Sequence, residues 1–275
     1  MPSAMRLRGK VLVDKLPTYF ISHGGGPCFD MDWPGGNPFA GLGRYLSGFA
    51  SDVPIRPRAI VVVSAHWEAT VPTVTANAAP SLIYDYTNFP PHTYALRYDA
   101  PGSPELAQRV RDLLEGAGIN SASDAERGLD HGVFVPFRLM YPEADIPVVQ
   151  LSMRAGYDPA AHFALGAAIA PLRDEGVLIV GSGMSFHDLR TIMNGEREDA
   201  ERFDSWLTAA VTGNAERRAA LLLRWSDAPS ARAAHPEEDH LVPLFVAAGA
   251  ASTDAGRRVF HDDLLNKPIS GYRFG

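Results

Sequence analysis

The sequence is short of cysteine, of long apolar runs and of concentrated positive charge. Cys28 is its single cysteine, so no disulfide framework forms within the chain and no thiolate zinc cluster is available. That usage fits a reducing, cytoplasmic setting. No unbroken apolar stretch reaches the roughly 18 residues of a membrane-crossing helix, so no membrane partner is expected. The formal net charge is −7 and no basic stripe is visible, which argues against nucleic acid as a partner. Arg6, Arg8 and Lys10 near the start are not followed by an apolar segment with a cleavage site. Residues 1–16 therefore read as a flexible leader, and 17–275 as one domain.

Several motifs are missing too. Gly181-Ser182-Gly183 is not a Gly-x-Ser-x-Gly elbow, so a serine hydrolase is poorly supported. There is no His-Glu-x-x-His pair. The glycines at 24–26 precede no Lys-Ser/Thr, which excludes a phosphate-binding loop of the common kind.

What is present is a repeated arrangement. Ala59–Val63 is a short β-branched run, the mark of a strand buried on both faces, and Ser64-Ala65-His66 follows. Thr18–Ser22 is a second such strand, ending in His23-Gly24-Gly25-Gly26-Pro27. Val177–Val180 is a third, leading through small residues to His187-Asp188. Glycines after a histidine allow a tight turn and close approach of backbone to a ligand. Gly181-Ser182-Gly183 reads as such a turn, aiming His187. Asp130-His131-Gly132 reads as a turn presenting His131, and His235 to His240 as a loop entering a last helix, with Asp239 as its cap and Gly249 as its end. In open α/β sheets the carboxyl ends of strands are where ligands sit.

The remaining segments complete an α/β pattern. Ser103-Pro104-Glu105 opens a helix by capping, a first-turn proline and an early acid. Ile146–Leu151 is another buried strand, and Asp158-Pro159 starts an alanine-rich helix with His162 on a face. Arg257–Phe274 adds an edge strand or two. The expected fold is a single-domain α/β unit, with a central mixed β-sheet flanked by helices on both faces. Asp85 to His92 is an aromatic-rich loop of the kind that shapes substrate pockets.

Taken together, His23-Gly-Gly-Gly-Pro, Ser64-Ala-His-Trp-Glu, Asp130-His-Gly-Val, Gly181-Ser-Gly-Met-Ser-Phe-His-Asp and His235-Pro-Glu-Glu-Asp-His resemble the class III extradiol ring-cleavage dioxygenase family. The branch they look most like is the DOPA-dioxygenase type. The resemblance runs from about residue 17 to about residue 250. It implies a non-haem Fe(II) enzyme that opens a DOPA- or caffeate-like catechol with O2. His23 and His66 match the family's first two metal ligands. The third comes from the His235–His240 segment, where His240 is preferred; His235 and Glu238 stay open as a ligand or a ligand's partner, since another branch of the family uses a glutamate. His187 matches a residue that is a ligand or, preferred here, the acid/base. His131 matches a pocket histidine that contacts substrate. Tyr86, Phe89 and Tyr94 would line the ring pocket.

Zn(II) can occupy an imidazole site meant for iron, but has no redox chemistry. Two other readings compete: a non-enzymatic binding protein resembling the Memo proteins, and a zinc-dependent hydrolase with His187 as base. The assembly is expected to be a monomer or small homo-oligomer.

Overall fold

The computed structural model describes residues 15–193 and 196–275; most of the expected leader, residues 1–14, lies outside the described residues. Leu16 is already fully buried, and the Arg173 guanidinium donates to its carbonyl at 2.6 Å.

The strands are β1 (Thr18–Ser22), β2 (Ala59–Ala69), β3 (Thr73–Thr75), β4 (Ala122–Asp124), β5 (Val148–Arg154), β6 (Val177–Gly183), β7 (Gly256–Leu264) and β8 (Lys267–Phe274). The helices are α1 (Ala40–Asp52), α2 (Pro104–Gly116), α3 (His131–Met140), α4 (Pro159–Ile169), α5 (Glu198–Val211), α6 (Ala215–Leu222), α7 (Ala231–Ala234) and α8 (Val242–Ala251). The strands form one sheet in the order β4-β3-β5-β2-β6-β1-β8-β7. The centre, β5-β2-β6-β1, is parallel, as buried β-branched runs lead one to expect. β8 returns antiparallel to β1, and β7 pairs with β8 at the edge, so the sheet is mixed.

Alternation along β6 shows the two covered faces. Gly181 and Gly183 point one way, where an added Cβ would lie 2.3 Å from the Pro243 carbonyl oxygen and 2.1 Å from that of His240. Ser182 points the other way and its hydroxyl donates to the Gly132 carbonyl in α3. α8 thus lies on one face and α3 on the other. The glycines are strand residues that admit a helix at close range, not the tight turn expected.

The start signals are seen as expected in two helices. Ser103 Oγ accepts from the Leu106 N–H at 3.1 Å to cap α2, and Asp158 accepts from Ala160 and Ala161 to cap α4. α8 runs two residues past Gly249, because that glycine is a contact rather than a stop: an added Cβ would be 2.2 Å from the Phe163 carbonyl oxygen of α4. His162 is buried, accepting from the Arg154 N–H at 3.0 Å. Among the described residues, no helix is long and apolar enough to cross a membrane.

Candidate metal centre

Parallel pairing sets the ends of β1, β2 and β6 level. Ser22 lies opposite Gly183, and Ser64 opposite Ser182. His23 follows β1 directly, held by its N–H on the Gly183 carbonyl at 3.1 Å. His66 lies inside β2, not beyond its end. The strand continues after a register shift between Val63 and Glu68, where it rejoins β5. His131 is the first residue of α3 rather than the tip of a turn. His240 stands two residues before α8, and its carbonyl accepts from the Met184 N–H at 3.0 Å, tying it to the end of β6.

The chain brings three imidazoles together. His23, His66 and His240 have ring centroids 4.9, 5.0 and 5.2 Å apart, and each offers a nitrogen within 4.8 Å of the others. Nε2 of His23 lies 3.1 Å from Nε2 of His66. The proton positions follow from the outer partners. Ser182 spends its hydroxyl proton on the Gly132 carbonyl, so its Oγ, 3.1 Å from His23 Nδ1, acts as acceptor. His23 therefore carries its proton on Nδ1 and turns a bare Nε2 inward. Asp239 Oδ2 does the same for His240, accepting from Nδ1 at 2.8 Å.

Burial holds His23 and His240 well below the ordinary imidazole range, and the neighbouring imidazoles push the same way. Burial and then His131 lower His66 to about 3. All three rings are neutral at neutral pH, and each turns a nitrogen toward the others, with Nε2 of His23 and His240 free of the proton. Two nitrogens about 2.0–2.1 Å from one ion at roughly a right angle are about 3 Å apart. The pair His23–His66 has that spacing, so the donor set fits a metal that takes imidazole.

His187 stacks on His240, ring centroids 3.4 Å apart at 14°. Burial lowers its pKa, against opposition from Asp239 and Asp188. His131 sits 3.9 Å, centroid to centroid, from His66. His235 is not part of the group. It is fully buried between Phe203 and Trp225, and its Nε2–H donates to the Ser185 carbonyl at 3.1 Å. It supports the segment that carries His187. Glu238 is turned away, in an ion pair with Arg232. Of the aromatic residues, Tyr86 faces His131 edge-on at 5.8 Å, with its hydroxyl donating to the Thr93 carbonyl. Phe89 and Tyr94 pack on Tyr86 at 5.4 and 5.3 Å, one layer further out.

Four partners of these histidines were not singled out as site residues from the sequence. Asp239, expected as a helix cap, holds His240 instead, because α8 begins only at Val242. Ser182 holds His23. Asp85 accepts from His131 Nδ1 at 2.8 Å. Asp130 is fully buried, and burial raises its pKa against the hydrogen bonds from Ser64 and Gln150. Ser64 Oγ donates to Asp130 at 2.7 Å and accepts from the His66 N–H at 3.2 Å. Of these, only Asp239 stands beside the histidine it holds, and that adjacency was the one sequence signal.

Residues 39–274 match the family model described as the catalytic LigB subunit of aromatic ring-opening dioxygenase. The chain belongs to the LigB family of extradiol ring-opening dioxygenases. Within this family it is 42% identical, over 89% of its own length and 90% of the relative's, to a 4,5-DOPA dioxygenase extradiol of Beta vulgaris. A protein of the same description from Escherichia coli K12 is 39% identical over 71% of this chain and 73% of its own. A solved structure of an uncharacterized Escherichia coli K12 protein superposes with a TM-score of 0.77 at 32% identity, covering 94% of this chain and all of that one. The LigB relatives named here are dioxygenases, which favours ring opening over the binding-module and hydrolase readings.

Proposed function

We propose that the protein opens the ring of a DOPA- or caffeate-like catechol with O2, with Fe(II) held by His23, His66 and His240. The observation that carries this is the meeting of three neutral, inward-facing imidazoles in a chain of this family. When bound, the ion would supply the redox-active centre that oxidation of a catechol by O2 needs. The remaining work falls to side chains. Ser182 and Asp239 keep His23 and His240 in the tautomers that present Nε2. His187, neutral and stacked on His240, takes a proton from a catechol hydroxyl and returns it as the O–O bond breaks. His131 holds a substrate oxygen, and Tyr86, backed by Phe89 and Tyr94, walls the ring. Both oxygen atoms enter the product, and the bond broken lies beside the diol, giving a muconate-type semialdehyde.

Zn(II) fits the same nitrogens but cannot replace iron in this chemistry. The free, buried Cys28 supports a reducing cytoplasmic setting. To test the reading, the metal is stripped, Fe(II) is added without air, and L-DOPA or caffeate is supplied with O2. Oxygen uptake with a yellow ring-opened product is expected from the iron form and not from the zinc form. No uptake with any catechol tried would overturn the proposal.

A further inference from the structure

The carboxylate of Asp85 faces two histidines at once. Oδ1 accepts from both the backbone N–H and the Nδ1–H of His131, at 2.9 and 2.8 Å. Oδ2 lies 3.8 Å from Nδ1 of His66. Asp85 opens the loop whose next residue is Tyr86, the ring that meets His131 edge-on at 5.8 Å. An ionised carboxylate only accepts, so the ring proton of His131 resides on Nδ1. Oδ1 takes the backbone N–H and the ring N–H together, so it acts as an acceptor and the ring supplies the proton.

We propose that Asp85 is a positioning residue that locks His131 as its Nδ1–H tautomer, leaving Nε2 bare to accept a hydrogen bond from a substrate hydroxyl. The two hydrogen bonds that this one oxygen accepts fix the ring plane as well as the proton, because backbone and ring donors must reach the same atom. Without it the ring is free to take the other neutral tautomer, whose Nε2–H cannot accept. A substrate hydroxyl would then meet a donor rather than an acceptor. The identification of the bound molecule as a catechol rests on the proposed function; the tautomer assignment does not.

The experiment is long-range 1H–15N NMR of the His131 ring in the metal-free protein, for wild type, Asp85→Asn and Asp85→Ala. Wild type is expected to show Nδ1–H. Asp85→Asn should keep it, because the amide oxygen can receive both donors. Asp85→Ala should move toward Nε2–H. In the iron form, Asp85→Ala should raise KM and lower kcat/KM by about 10–100-fold, with Asp85→Asn largely rescued. Zn(II) affinity, read by competition with a chelating dye, should change less than kcat/KM, since all three proposed ligands remain. An Nε2–H assignment in wild type, or an unchanged Nδ1–H in Asp85→Ala, overturns the proposal; the wild-type spectrum decides even if the alanine variant does not fold. A tautomer that shifts as stated in a protein with no catechol turnover would instead overturn the proposed function and leave the positioning role standing.

Discussion

A single hydroxyl decides which nitrogen of His23 faces the cluster. Ser182 passes its proton to Gly132 and so can only receive from His23 Nδ1. Ser182→Ala removes that acceptor and frees the ring to take the wrong tautomer. Metal affinity should fall about 10–100-fold, measured by titration with Zn(II), while far-UV circular dichroism stays unchanged. His235 makes a different prediction. Its Nε2–H is bonded, its Nδ1 is buried with no partner among the described residues, and burial lowers its pKa to about 3. Below its unfolded value of about 6.5 the unfolded chain binds a proton that the folded chain refuses. Stability is therefore full above about pH 6.5 and falls as the pH drops toward 3, by about 1.4 kcal/mol per pH unit for this group. Urea unfolding of the metal-free protein at pH 7, 6 and 5 should show a slope at least that steep, since His23, His66 and His240 are held neutral in the same way, and His235→Phe should show a shallower one. At this scale the histidines themselves were legible, because each of three stands behind a buried run and a few small residues. Their partners were not. Asp85 and Ser182 reach their histidines from 46 and 159 residues away, a juxtaposition only the folded chain makes.

Elements were legible where the local signal and the tertiary need agree. The apolar run of β1 and the capped starts of α2 and α4 fall where the sequence places them. β2 ran longer than its apolar core because its polar end, Ser64 to Ala69, still finds β5 to pair with. α1 is hard to read from sequence, although Leu42, Leu46 and Phe49 are buried at helical spacing, because glycines lie between them. Those glycines differ in kind. Gly48 has nothing within 4 Å of an added Cβ, so Gly48→Ala should stabilise α1 by about 0.5–1 kcal/mol. Gly249 meets the backbone of α4, so Gly249→Ala must force the two helices apart, costing about 1–3 kcal/mol. Thermal melts of the two variants should move in opposite directions.

For the molecule as a whole, the α/β class, the mixed sheet and the helices on both faces were all readable, whereas the antiparallel return of β8 beside β1 was not, since edge pairing leaves little mark on composition. The three proposed ligands come from residues 23, 66 and 240, so an ion that binds them binds the folded state alone. Saturating Zn(II) at about 100 times its Kd should raise stability by about 2.7 kcal/mol, and a chelator should reverse it, as read by the melting temperature. The wide separation of those residues along the chain carries one more consequence. No nascent fragment that stops short of residue 240 could capture an ion through all three of these rings. An ion held by all three rings would thus be acquired only after residue 240 has been made and folded into place.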